Sequence, residues 1–147
     1  MGTVRSRLSQ AKEKLSANWK NQEEASEQIC KQNQEWNEFY SSTFSALHKH
    51  DTYKNKFLSH LKKDIEIVFS RHQRNSGSWL IDKEINQDRK FGSWFTPVNI
   101  FSSGTISVIE VKHFNSADHP GHCPENSVFV LYRHKDKVMR MNFHHSS

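Results

Sequence analysis

The stretch WNEFYSSTFSALHKHDTYKNKFLSHLKKDIEIV, Trp36 to Val68, contains neither proline nor glycine, and Trp36, Tyr40, Phe44 and Leu47, then Leu58, Leu61, Ile65 and Val68, recur at three- and four-residue steps. The same spacing extends back through Val4, Leu8, Ala11, Leu15, Trp19, Ala25 and Ile29. Such a stripe marks a helix with one apolar face. Val4 to His72, about half of the 147 residues, therefore reads as helix.

A stripe this long is that of a coiled coil or of long packed helices. Leu8, Leu15, Trp19, Ile29, Trp36 and Tyr40 are then the expected contacts to a partner, either a second copy or another protein. Gln22 and Asn33 interrupt the stripe with polar side chains, and the successive four-residue steps from Trp36 to Phe44 locally unwind a heptad seam. In HKHDTYKN, residues 48–55, the stripe weakens and Asp51 or Thr52 offers a helix cap. The alternatives are a helical hairpin turning there or a single rod of ~100 Å at 1.5 Å per residue.

RNSGS, Arg74 to Ser78, ends the helical half, since Asn75 and Gly77 suit the left-handed conformation that terminates a helix. Beyond it the period becomes two. Expected strands are Trp79 to Ile85, Gly92 to Phe101, Thr105 to Phe114, and a hairpin of Ser127 to His134 with Val138 to His144. Pro97 argues for an edge or a bulge in the second of these. The predicted class is α+β: a coiled-coil-like helix or hairpin in residues 1–74, then an antiparallel β meander or partly closed barrel in residues 78–147.

A hydrophobic fraction of 34% is below the ~45–50% of ordinary globular domains, as suits an elongated helix with little interior. Of the formal charge of +5, the first twenty residues supply most, with Arg5, Arg7, Lys12, Lys14 and Lys20 against Glu13. MGTVRS matches the N-myristoylation pattern at Gly2, and the basic cluster behind it is the second signal a peripheral membrane contact needs. Two cysteines, Cys30 and Cys123, make no disulfide framework. No run approaches the ~20 apolar residues of a membrane span. The expectation is an intracellular protein, cytoplasmic or nuclear, with peripheral membrane attachment as the alternative.

Two clusters carry chemistry. In IEVK, Ile109 to Lys112, Glu110 and Lys112 stand two apart on an expected strand, with Asp82 or Asp88 and Glu66 as further carboxylates. This looks like the PD-(D/E)xK nuclease arrangement, which implies carboxylates holding Mg²⁺ to activate water and a lysine stabilising developing charge. Glu110, Lys112 and Asp88 would be its residues. In DHPGHC, His119, His122 and Cys123 are zinc-type ligands at a spacing no standard zinc pair uses. No cofactor is expected outside these two readings. Aromatic residues interleaved with Lys112, Arg133 and Arg140 leave nucleic-acid binding open. No phosphate loop, nucleophile elbow or Cys-x-x-Cys is present. The leading expectation is a non-enzymatic interaction and oligomerisation module, with the nuclease and a nucleic-acid-binding or myristoylated adaptor as alternatives.

Overall fold

The computed structural model describes residues 2–69 and 73–145, with side chains described from Arg7 onward. Helix α1 spans Gly2–Ala46, 45 residues. Every described side chain from Arg7 to Gln32 is exposed, and cover begins at Asn33. From there the four-residue steps place Tyr40 and Phe44 on one face, continued by Leu47 just past the helix end, and all three are buried. After a turn at residues 47–50, α2 (Asp51–His60) folds back beside α1. No glycine enforces this turn; the Arg89 guanidinium does, donating from Nη2 to Leu47 O at 2.7 Å and pairing through Nη1 with Asp51.

The strands are β1 (Leu61–Val68), β2 (Arg74–Ser76), β3 (Trp94–Ser103), β4 (Ile106–Phe114), β5 (Asn126–His134) and β6 (Lys137–His145), with α3 (Ser78–Lys90) between β2 and β3. Their order in one open sheet is β2-β1-β6-β5-β4-β3. Strands β3 to β6 form an antiparallel meander, and β1 joins it parallel to β6, Ile67 opposite Met141. Edge strand β3 has an irregular register between Pro97 and Asn99, where proline cannot donate to the ladder. The covered face carries Ile65, Ile67, Ile109, Val111, Leu131 and Val138, all fully buried under the three helices.

A buried cation fastens α1 to this sheet. Arg133 is 5% exposed and donates from Nη1 to Tyr40 Oη at 3.1 Å and Ser107 Oγ at 2.6 Å, and from Nη2 to Gly104 O at 2.8 Å. Its guanidinium lies 4.3 Å from the Trp36 ring centroid, so an aromatic face and neutral acceptors stand in for a counter-ion. Tyr40 Oη also meets His60 Nε2 at 2.8 Å.

Three expectations are corrected. The helix does not run to the neighbourhood of His72, a residue outside those described, because Leu61–Val68 is a strand within the sheet. Leu61, Ile65 and Val68 fit a helical stripe, but Ile65 and Ile67 also fit a period of two, and the β-branched pair is buried once paired with β6. Conversely, the expected strand at Trp79 to Ile85 lies in α3, where Ile81 and Ile85 form an i, i+4 core face. The sheet is mixed and open rather than an antiparallel meander closed into a partial barrel. Gly2, the lipidation candidate, precedes the described side chains.

Candidate active site

A cavity of about 330 Å³ lies between the covered face of the sheet and the helices. Phe44, Leu47, Phe57, Phe95, Phe129 and Met141 make its walls largely apolar. At one end the lining changes to Asp88, His113, His122 and Cys123.

Local structure brings each of these inward. Asp88 follows Ile81 and Ile85 at the i+7 and i+3 positions of α3, so the helix points a carboxylate where a core residue would stand. His113 shares with Ile109 and Val111 the covered side of β4. His122 and Cys123 come from the β4–β5 connection, which Asn115 folds: its amide nitrogen donates to Pro120 O at 3.0 Å and Cys123 O at 2.9 Å, and its oxygen accepts from Cys123 N at 3.1 Å and Ser93 Oγ at 3.0 Å. His48 sits in the turn after α1.

Asp88 is the centre of the cluster. Its Oδ2 meets His48 Nε2 at 3.1 Å, and its Oδ1 meets His122 Nε2 at 3.0 Å and Cys123 Sγ at 3.6 Å. Burial alone would raise the Asp88 pKa. The hydrogen bond and charge of His48, followed by the bonds from His122 and Cys123, outweigh it and hold the carboxyl below its usual range. Burial pushes the Cys123 thiol up to about 12, with the Asp88 charge adding to the rise. Burial likewise lowers His113 to about 4, against the opposing pull of Asp88, so this imidazole is neutral at pH 7; its Nε2 lies 2.8 Å from Ser127 Oγ.

His48 is 8% exposed and its Nδ1 finds no hydrogen-bond partner among the described residues. Its outer side lines a second, more open cleft of about 400 Å³ with Lys49, Arg89, Ser93 and Trp94. The Asp88–His48 pair therefore joins the inner cavity to an outer polar cleft.

This arrangement suits proton transfer: an ionised carboxylate with an imidazole on each oxygen can orient one ring and stabilise its charged form. Asp88, His122 and Cys123 also bring one ligand atom each to within 4.8 Å of one another, and a carboxylate, an imidazole and a thiol could hold a zinc ion. A metal would have to displace the thiol proton that burial retains. His119, the third expected ligand, stacks edge-on against Phe91 instead, with centroids 4.8 Å apart.

The nuclease constellation is not assembled. Glu110 and Lys112 alternate with Ile109 and Val111, so they project from the opposite face of β4 to the one that carries His113. Glu110 accepts from Asn99 Nδ2 at 2.8 Å, and Lys112 Nζ lies 5.6 Å from the Phe114 ring centroid. Asp88 is on the cavity side, while Asp82 pairs with Lys54 at 3.0 Å and Glu66 with Arg74 at 3.4 Å. Of the expected partner contacts, Leu8, Leu15, Trp19 and Ile29 are exposed, whereas Tyr40 is wholly buried and Trp36 packs against the core of its own chain. His113 is legible in the sequence as a neighbour of the DHPGHC cluster on the preceding strand, whereas His48 carries no sequence signal for the site, because it is 40 residues from Asp88 and only folding joins them.

No family model matches the sequence, and no curated protein matches it. Solved structures match its shape. A candidate ketosteroid isomerase from Kribbella flavida is 15% identical with a TM-score of 0.60, over 78% of this chain and 80% of that one. An NTF2-like protein of unknown function from an Exiguobacterium species is 10% identical with a TM-score of 0.57, over 75% and 97%. A candidate polyketide cyclase from Pseudomonas putida is 14% identical with a TM-score of 0.55, over 75% and 90%. At such identities the common property is the fold, which is NTF2-like. The expectation of a pure interaction module is corrected by these neighbours, two of which are named as enzymes, and the nuclease alternative by the placement of Glu110 and Lys112 away from the cavity. Among the described residues no helix is long and apolar enough to cross a membrane.

Proposed function

We propose that this NTF2-like domain binds a small, mainly apolar carbonyl compound and transfers a proton on it, with His122 as the acid–base group and Asp88 as the carboxylate that orients it. The observation that carries this reading is the Asp88 carboxylate at the polar end of a largely apolar cavity, with His48 on one oxygen and His122 on the other. A cavity of about 330 Å³ is at the small end of the ~300–1,000 Å³ typical of ligand sites, which favours a compact compound. Apolar walls lower the local dielectric, so the charge on Asp88 acts strongly on a nearby imidazolium. His48 then offers a route for the proton to the outer cleft. Isomerising or cyclising a carbonyl compound requires a proton to leave carbon and return elsewhere, which agrees with the activities named for two of the structural neighbours.

The test is hydrogen–deuterium exchange at carbon next to the carbonyl, followed by NMR across a panel of apolar ring ketones, with binding measured in parallel. The expected outcome is exchange above buffer for ketones that bind, reduced about 10²–10⁴-fold in both Asp88→Asn and His122→Gln while Kd changes little. If no ketone binds, or if both variants exchange as fast as the original protein, the reading is wrong.

A further inference from the structure

The first part of α1 serves no purpose in the cavity. Arg7 to Gln32 are exposed throughout, an arm of ~39 Å at 1.5 Å per residue. It leaves Leu15 70% and Trp19 67% exposed, with Leu8 and Ile29 also in solvent. A bare helix with such a face gains little from packing, which is the usual source of helical stability.

We infer that this arm pairs antiparallel with the same arm of a second copy, making the domain a homodimer. Charge selects both the occupant and its direction. Arg7 to Lys20 carries four basic residues, Arg7, Lys12, Lys14 and Lys20, against Glu13. The next segment, to Glu38, carries five acidic residues, Glu23, Glu24, Glu27, Glu35 and Glu38, against Lys31. A parallel pair would set each block against its own kind. An antiparallel pair crossing near Gln22 sets the basic block of each chain against the acidic block of the other. Two polar residues in the stripe, Gln22 and Asn33, are tolerable where their amides meet across the axis or at its ends.

The base of the arm offers a seat for the partner's leading end. Ile29 and Trp36, one heptad apart and therefore on nearly one face, line a groove of about 580 Å³ with Asn33, Gly104, Arg133 and Lys135. Leu8, Leu15 and Gln22 repeat the same heptad position, so the exposed stripe is continuous with this groove. In an antiparallel pair crossing near Gln22, Leu8 of one chain falls close to Trp36 of the other. The contacts lie outside the cavity, so the dimer stands or falls independently of the proposed proton transfer.

The test is sedimentation of the full chain over a concentration series, at low and high salt, with a spin label on exposed Cys30. The expected result is a dimer that weakens with salt. Two labels eight residues from the crossing point on opposed helices should be about 20–30 Å apart. Leu15→Glu should raise Kd at least ~100-fold, since the symmetric contact is lost twice. Lys20→Glu should weaken the dimer, and Lys20→Glu with Glu24→Lys should restore it. Because these positions are exposed, the variants keep the fold, checked by circular dichroism. A monomer at all concentrations, labels in near contact as in a parallel pair, or a dimer indifferent to Leu15→Glu would each overturn the inference.

Discussion

Acid should begin to destabilise this domain through histidine before its carboxylates titrate. His60 is 8% exposed, at the end of α2, with its Nε2 on the Tyr40 hydroxyl at 2.8 Å and its ring 4.9 Å from Phe39 and 5.1 Å from Trp36. Burial lowers it from 6.5 to about 4, helped by the nearby positive charge of Arg133. The folded protein therefore binds this proton less readily than the unfolded chain. Stability from the neutral ring is complete above pH 6.5 and is lost as pH falls from there toward 4. A displacement of that size corresponds to at most ~3.4 kcal/mol, and partial solvent access to the ring reduces it to about 2 kcal/mol. Denaturant unfolding at pH 7.5, 6.5, 5.5 and 4.5 should show stability falling below pH 6.5. His113, lowered to about 4 for the same first reason, adds to the slope. In His60→Gln, where the amide can still meet Tyr40 Oη, the protein should be slightly less stable at pH 7.5 and its slope below pH 6.5 shallower by up to one proton, ~1.4 kcal/mol per pH unit. An identical slope in the original protein and His60→Gln would refute this account of the buried ring, whatever the absolute stabilities.

Two further outcomes test the packing and the cluster. Phe44 is 1% exposed and meets the rings of Phe57, Phe95 and Phe129 at 4.9, 5.5 and 5.5 Å, so Phe44→Ala should cost about 3–5 kcal/mol in denaturant unfolding while enlarging the cavity; a loss under ~1 kcal/mol would mean that this aromatic cluster is not packed as described. At pH 7.5, alkylation followed by intact mass should modify Cys30, which is exposed, well before Cys123, whose thiol burial and Asp88 hold near 12, and denaturation should abolish the difference.

The sequence by itself determined those parts whose signal is local. The three- and four-residue steps up to Phe44 specify α1, the weak stretch at residues 48–55 admits the turn before α2, and alternation from Trp94 onward specifies the antiparallel meander. Pro97 marks an edge strand because a missing donor has the same consequence in any fold. Tertiary structure decided Leu61–Val68, whose apolar residues satisfy both periods until β6 pairs with it, and Ser78–Lys90, too short in apolar residues to choose a period before the sheet covers Ile81 and Ile85. It also decided the site. Asp88 was legible as a carboxylate and His122 and Cys123 as ligand types, but the carboxylate was placed in one constellation and the two ligand types in another. A strand's period of two sends Glu110 and Lys112 away from the cavity while bringing His113 into it, and α3 carries Asp88 to residues 40 positions before it and 34 after it. Local patterning records which face of an element is apolar; it does not record which two faces meet, and the candidate site exists only where they do.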